Sequence, residues 1–90
     1  MNTDNKKKRY YPTLKSIRMD SGLTQKEVEE ITKDSDFPIP QSTLSDWEVG
    51  RNVPNTNAII FLAGLYNRSF QDLVEAWRNT KKNHEMNNSD

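Results

Sequence analysis

Cysteine is absent from this 90-residue sequence, and His84 is its single histidine. These two shortages exclude disulfides, thiolate metal sites and catalysis by a Cys/His pair. Long apolar runs are also lacking, since no stretch approaches the roughly 20 residues that a helix needs to cross a bilayer. Side-chain packing must therefore hold the fold together, and we expect a cytoplasmic protein with no metal and no cofactor.

Hydrophobic residues are scarce as well, at 32% of the chain, and the mean hydropathy is −1.00. A chain of this size and composition supports one small core. The apolar residues lie in the central segment, whereas both ends are polar and charged. The sequence therefore predicts a flexible basic arm at 1–11, a folded domain at 12–78 and a disordered polar tail at 79–90.

Turn and capping residues divide the central segment into helices. Gly22 and Gly50 each follow a helical pattern and are predicted to end it. Thr24 and Glu27 have the T-x-x-E spacing of a capping box. Residues 33–40 contain two prolines and cannot continue a helix. The result is an all-α fold of five helices, predicted at about 13–21, 25–33, 41–48, from 55 onward, and at 70–78.

Apolar side chains at helical spacing predict which helix faces are buried. Val28 and Ile31 are expected to face the core from the second helix, and Leu44 and Trp47 from the third. The tryptophan at 77 also lies on an apolar stripe, and this position favours core packing over base stacking for both tryptophans.

Aromatic and aliphatic residues of the fourth and fifth helices exceed what one core face can hold. Ile60 and Phe61 are neighbours and cannot both face the same core. One of them, together with Phe70 or Trp77, is therefore a candidate dimer contact. Phe37 is expected to pack back against the core and hold the 33–40 turn; the alternative is that this turn itself contacts DNA or a partner.

Three ordered motifs carry a family resemblance. Residues 22–25 read Gly-Leu-Thr-Gln, residues 41–45 read Gln-Ser-Thr-Leu-Ser, and residues 47–54 read Trp-Glu-Val-Gly-Arg-Asn-Val-Pro. Together they resemble the Cro/C1-type (lambda-repressor-like, XRE-type) helix-turn-helix family. The resemblance implies a compact five-helix DNA-binding domain that regulates transcription, favours a repressor, and suggests a homodimer on an inverted-repeat operator in double-stranded DNA.

The resemblance makes the predicted helix at 41–48 the one that reads bases. In a helix-turn-helix protein the second helix of the motif enters the major groove, where each base pair presents a distinct pattern of donors and acceptors. Gln41 can make a bidentate contact with adenine, and Ser42, Ser45 and Asp46 share its exposed face. Asp46 can accept from cytosine, although the family more often has a basic or amide residue there. A merely solvated helix surface is the alternative for this face.

Further residues match positions that, in the family, contact the sugar-phosphate backbone. Gln25 would bind a phosphate at the first turn of the second helix, with a simple capping role as its alternative. Arg51 and Asn52 match the family's backbone-contacting loop, and Thr43 would contribute a hydroxyl.

Two positions that the family joins by a largely buried ion pair are occupied here by Arg18 and Glu48. The resemblance therefore implies that they link the first helix to the end of the third. One departure from the family is the turn at 32–39, which is longer by about five residues than the usual tight turn.

The charge distribution opposes a simple DNA-binding interpretation. Residues 14–77 contain six lysines and arginines against ten aspartates and glutamates, a net charge of −4. The basic run lies before them, and it could follow phosphates, enter the minor groove, or only keep the chain soluble. This run consists of Lys6, Lys7, Lys8 and Arg9.

Two function classes follow from these observations. The first is a sequence-specific DNA-binding regulator. The second is a protein-interaction helix-turn-helix module, such as an antitoxin or adaptor with weak DNA binding, which the acidic body favours. An enzyme is not expected, because no nucleophile or carboxylate pair stands in a catalytic pattern.

Overall fold

The computed structural model describes residues 11–88 and confirms the all-α prediction. Five helices and no strand occur in this range. None of these helices combines the length and the apolar composition that a membrane span requires. The helices are α1 (Leu14–Asp20), α2 (Gln25–Thr32), α3 (Gln41–Val49), α4 (Thr56–Tyr66) and α5 (Phe70–Asn88).

Local side-chain caps fix where α1, α2, α4 and α5 begin. The hydroxyl of Thr24 accepts from the N–H of Glu27 at 3.0 Å, and the Glu27 carboxylate accepts from the N–H of Thr24 at 2.9 Å. This is the predicted capping box. A second box, between Thr13 and Ser16, opens α1. The side-chain oxygens of Asn55 and Ser69 accept the corresponding bonds at α4 and α5.

The core lies between all five helices. Val28, Leu44 and Trp47 are buried as predicted, so α2 and α3 each direct an apolar face inward. The prediction for Ile31 is wrong, because its side chain is 52% exposed. The buried side chains of α2 are Val28 and Thr32, four residues apart, and Ile31 lies outside the narrow face that they define. The buried hydrophobic set is Leu14, Ile17, Val28, Ile39, Leu44, Trp47, Ala58, Ile59, Leu62, Ala63, Tyr66, Leu73 and Ala76.

The long connection between α2 and α3 is an ordered turn. The hydroxyl of Thr32 donates to the carbonyl of Val28 and accepts from the N–H of Ile39, both at 2.9 Å. Ile39 is itself 1% exposed. The ring of Phe37 stacks on that of Phe61 with 5.2 Å between centroids, so the expected packing of Phe37 is confirmed. The turn is therefore anchored to the core by Ile39 and to α4 by the Phe37–Phe61 stack.

The last helix corrects the predicted domain limits. α5 continues to Asn88, so the prediction of a disordered tail from residue 79 is wrong for residues 79–88. Thr80 is 4% exposed, and its hydroxyl accepts from the N–H of Leu14 at 3.0 Å. The amide of Asn79 donates to the carbonyl of Pro12 at 2.8 Å. Polar composition alone predicted disorder, but these polar side chains have partners that only the folded chain supplies.

Gly50 is the point where α5 comes closest to the end of α3. Its φ is +86°, which side-chain-bearing residues rarely adopt. A Cβ at this position would also lie 2.6 Å from the Cβ of His84 on α5 and 3.3 Å from the carbonyl oxygen of Thr80. Gly22 has a similar φ of +80° but no atom within 4 Å of such a Cβ. Gly50 therefore serves both the turn and the packing of α5.

Substitution of these two glycines by alanine should separate conformational strain from steric contact. Gly22→Ala should lower the free energy of unfolding by about 1–2 kcal/mol, the cost of the left-handed conformation. Gly50→Ala should lower it by a further 1–3 kcal/mol, roughly the cost of overpacking. Urea unfolding of both variants measures the difference. Equal losses would mean that α5 does not press against position 50 in solution.

Candidate nucleic-acid interface

A buried ion pair joins α1 to the end of α3. Arg18 donates to the Glu48 carboxylate from Nε at 2.7 Å and from Nη2 at 3.1 Å, as the sequence predicted. Both residues are less than one-tenth exposed. The Nη1 group of Arg18 donates to the carbonyl of Leu23 at 2.7 Å, in the turn between α1 and α2. One guanidinium thus fixes α1, the α1–α2 turn and α3 relative to one another.

Gln25 extends this cluster to the start of α2. Its side-chain N–H group donates to Oε1 of Glu48 at 3.0 Å. The capping role is carried by Thr24, so the alternative role predicted for Gln25 does not apply to its side chain. An amide carries two N–H hydrogens, and the bond to Glu48 leaves one for a further partner. Gln25 is therefore held in one orientation at the first turn of α2.

The cluster changes the ionisation of its neighbours. Hydrogen bonding to Glu48 raises the pKa of Arg18 further, against the opposing effect of burial. Burial raises the pKa of the Tyr66 hydroxyl well above its usual range, and the negative charge of Glu48 adds to this effect. The Tyr66 hydroxyl is buried without a hydrogen-bond partner. Nothing in the sequence pattern indicated this buried hydroxyl, because Tyr66 fits the pattern of apolar residues on the inner face of α4.

The outer face of α3 carries polar side chains that the fold does not use. Gln41 and Ser42 are exposed, and Thr43 and Ser45 are partly exposed. None of these four side chains is hydrogen-bonded to another residue within 11–88. The opposite face is buried and consists of Leu44, Trp47 and Glu48. α3 therefore presents a fixed row of hydroxyl and amide groups to the outside.

Asp46 behaves differently from the other three predicted base contacts. Its carboxylate pairs with the guanidinium of Arg51 and accepts from the amide of Asn52 at 3.2 Å. Its backbone carbonyl accepts from the N–H groups of the same two residues at 2.9 Å and 3.3 Å. The sequence assigned these three residues to two separate tasks. The structure brings them together, with Asp46 holding the loop that follows α3.

The helix-turn-helix family model matches residues 14–73, which is two thirds of the chain. This chain belongs to the Cro/C1-type helix-turn-helix family. It is accordingly a DNA-binding helix-turn-helix regulator, and α2 and α3 are the two helices of the motif. No match was found to a curated protein or to a solved structure. Residues 74–88, which form most of α5, lie outside the matched region.

Two other predicted features bear on the interface of this family member. The basic run Lys6, Lys7, Lys8 and Arg9 lies outside the described residues. Within the described range, no group of three or more His, Cys, Asp or Glu side chains is arranged to hold a metal ion. The candidate interface therefore consists of the start of α2, the outer face of α3 and the loop after it.

Removing the charge of Glu48 should test the importance of the buried pair. Glu48→Gln keeps the side-chain shape but leaves Arg18 buried without a counter-charge, which should cost about 3–5 kcal/mol of unfolding free energy. Glu30→Gln is the matched control, because Glu30 makes an exposed ion pair with Lys33 that is worth about 1 kcal/mol at most. Chemical denaturation compares the two. Similar losses would contradict a central role for the pair.

Removing the hydroxyl of Tyr66 should not destabilise the protein. An unpaired buried hydroxyl costs about 1–3 kcal/mol, so Tyr66→Phe should be neutral or stabilising. The raised pKa of Tyr66 means that the native state favours its neutral form. Wild-type stability should therefore hold below about pH 10 and fall above it, and this fall should be smaller in the variant. Melting temperatures between about pH 8 and 11 test both statements; a clear loss at neutral pH would contradict them.

Proposed function

We propose that this protein is a repressor that binds specific double-stranded DNA sequences by placing α3 in the major groove. The observation that carries this proposal is the outer face of α3. Gln41, Ser42 and Ser45 have no internal hydrogen bonds, while the other face of the helix is anchored by Leu44 and Glu48. An anchored helix with unengaged polar groups suits base recognition, because its donors and acceptors need not break internal hydrogen bonds before binding.

Gln41 is the central base contact in this proposal. It lies in the first turn of α3 and is exposed, so its amide can accept from adenine N6 and donate to N7. Ser42 and Ser45 follow on the same face and can bond to either kind of base-edge group. Both carboxylate oxygens of Asp46 are engaged, Oδ1 by Arg51 and Oδ2 by Asn52, so Asp46 can accept from cytosine only with a remaining lone pair. Its main contribution is then to position the loop.

Backbone contacts surround this base-reading row. Gln25 has one N–H hydrogen left for a phosphate at the start of α2, where the unpaired amides of the helix also favour an anion. Arg51 and Asn52, in the loop after α3, would contact the sugar-phosphate backbone of DNA. The hydroxyl of Thr43, which is partly exposed, would make a further contact of this kind. The basic run at 6–9 would add phosphate contacts that are independent of sequence.

The proposed operator is an inverted repeat, bound by a homodimer with half-sites about 34 Å apart. Ile60 and Phe70 support the dimer, since they are 54% and 46% exposed. Phe61 is occupied by its stack with Phe37, and Trp77 packs against the core. Of the four candidates named from the sequence, Ile60 and Phe70 are the two available to a partner subunit.

A second candidate is a protein-interaction module. The net charge of −4 over residues 14–77 favours it. Salt dependence separates the two functions. A DNA-binding protein loses affinity for duplex steeply as salt rises, because each neutralised phosphate releases counterions. An adaptor with weak DNA binding would retain little duplex even at low salt. The cytoplasm is the proposed location in either case.

Substitution of Gln41 should reduce sequence preference rather than binding in general. A palindromic site selected from random duplexes and a scrambled duplex are the two probes. Gln41→Ala should lose about 1–3 kcal/mol on the selected site, roughly 5- to 150-fold in affinity, and little on the scrambled one. Gln71→Ala, on α5, is the matched control and should change neither. Equal losses on both probes, or no loss, would contradict base reading by α3.

A further inference from the structure

A polar cleft lies where the start of α1, the end of α3 and the last part of α5 meet. Thr13 and Lys15 line it from α1, Arg51 from the loop after α3, and Asn83 and His84 from α5. The cleft therefore lies next to a residue that the proposed function assigns to the DNA backbone. Glu48, predicted as a partner of Arg18, also lines the cleft, whereas Thr13, Lys15, Asn83 and His84 were not among the site residues predicted from the sequence.

The wall of the cleft on α5 is firmly attached to the rest of the protein. Thr80 accepts from the N–H of Leu14, which fixes α5 against the start of α1. His84 packs against Gly50, which fixes α5 against the end of α3. Both contacts belong to the part of α5 that lies beyond the family match at residue 73. The α5 wall of the cleft thus lies outside the matched region.

The charges around the cleft leave one cation without a counter-charge. Lys15 is exposed and forms no ion pair with another described residue. Arg51 uses Nη1 for Asp46, and the rest of its guanidinium is not engaged in the described contacts. Glu48 also lines the cleft, but Arg18 neutralises its carboxylate. An unpaired lysine beside amide and guanidinium donors, on a body with net negative charge, favours an anionic ligand.

We propose that this cleft binds a phosphate of the DNA backbone, so that α5 enlarges the DNA footprint beyond the helix-turn-helix motif. The inference rests on the proposed function, because the same DNA would occupy α3 and the cleft together. Lys15 supplies the charge, and the amide of Asn83, which lines the same cleft, supplies a neutral N–H donor. The contact carries no sequence information and acts on every duplex alike.

The test uses the full chain and a duplex of arbitrary sequence, titrated by fluorescence anisotropy over a series of salt concentrations. Lys15→Ala should reduce the slope of log affinity against log salt by about 0.9, the value for one phosphate contact on duplex DNA. Lys15→Arg should retain the wild-type slope. Lys81→Ala is the matched control, because Lys81 lies on α5 outside the cleft, and its slope should stay near that of the wild type.

A variant without a charge change completes the test. Asn83→Ala should weaken duplex binding by about fivefold at every salt concentration, as expected for one lost hydrogen bond. Thermal unfolding of each variant shows whether the fold is intact; both side chains are exposed, so the melting temperatures should match that of the wild type.

Two results would overturn the inference in distinguishable ways. If the wild type binds duplex with a steep salt dependence and Lys15→Ala has the same slope as Lys81→Ala, the cleft binds no phosphate while the proposed function stands. If the wild type binds no duplex even at low salt, the proposed function fails, and the phosphate site fails with it.

Discussion

The buried pair of Arg18 and Glu48 is the interaction on which the position of α3 and its outer face depends. A single guanidinium bonds to the carboxylate on α3 and to the carbonyl of Leu23, and the same carboxylate accepts from Gln25. Both charges have left water, so each needs the other, and neither helix can shift without breaking a bond in a low-dielectric interior. The cluster thereby couples the angle of α3 to the first turn of α2, the two elements that the proposed function places against DNA.

One face of α3 holds the helix against the rest of the protein, and the other face points outward. Its inner face is fixed by apolar burial and by Glu48, and its C-terminal end by the left-handed Gly50. Asp46 then uses both its side chain and its carbonyl to fold the following loop back onto the helix. Two of the ten acidic residues of the body, Asp46 and Glu48, are paired with arginines at the candidate interface, so the charge there is locally balanced, while the remaining residues keep the net charge of −4.

The long α2–α3 turn and the part of α5 beyond residue 73 both support the position of α3. The turn is held by Thr32 and by the Phe37–Phe61 stack, so its extra length does not loosen the position of α3. α5 accepts a hydrogen bond from the start of α1 through Thr80 and packs closely against Gly50 at the end of α3. Each of the two elements therefore supports the position of α3 from one side.

Local signals in the sequence determined the five helices, their starts and most of their buried faces. Caps such as Thr24 with Glu27, the glycines and the spacing of apolar residues act between neighbours along the chain, so they can be recognised without the fold. The family motifs added the Arg18–Glu48 pair. Tertiary structure alone decided the rest: the helical course of residues 79–88, the exposure of Ile31, the bond from Gln25 to Glu48 and the engagement of Asp46 with Arg51. In each of these cases a polar or apolar side chain takes its role from a partner brought to it by folding, and composition and spacing carry no record of that partner.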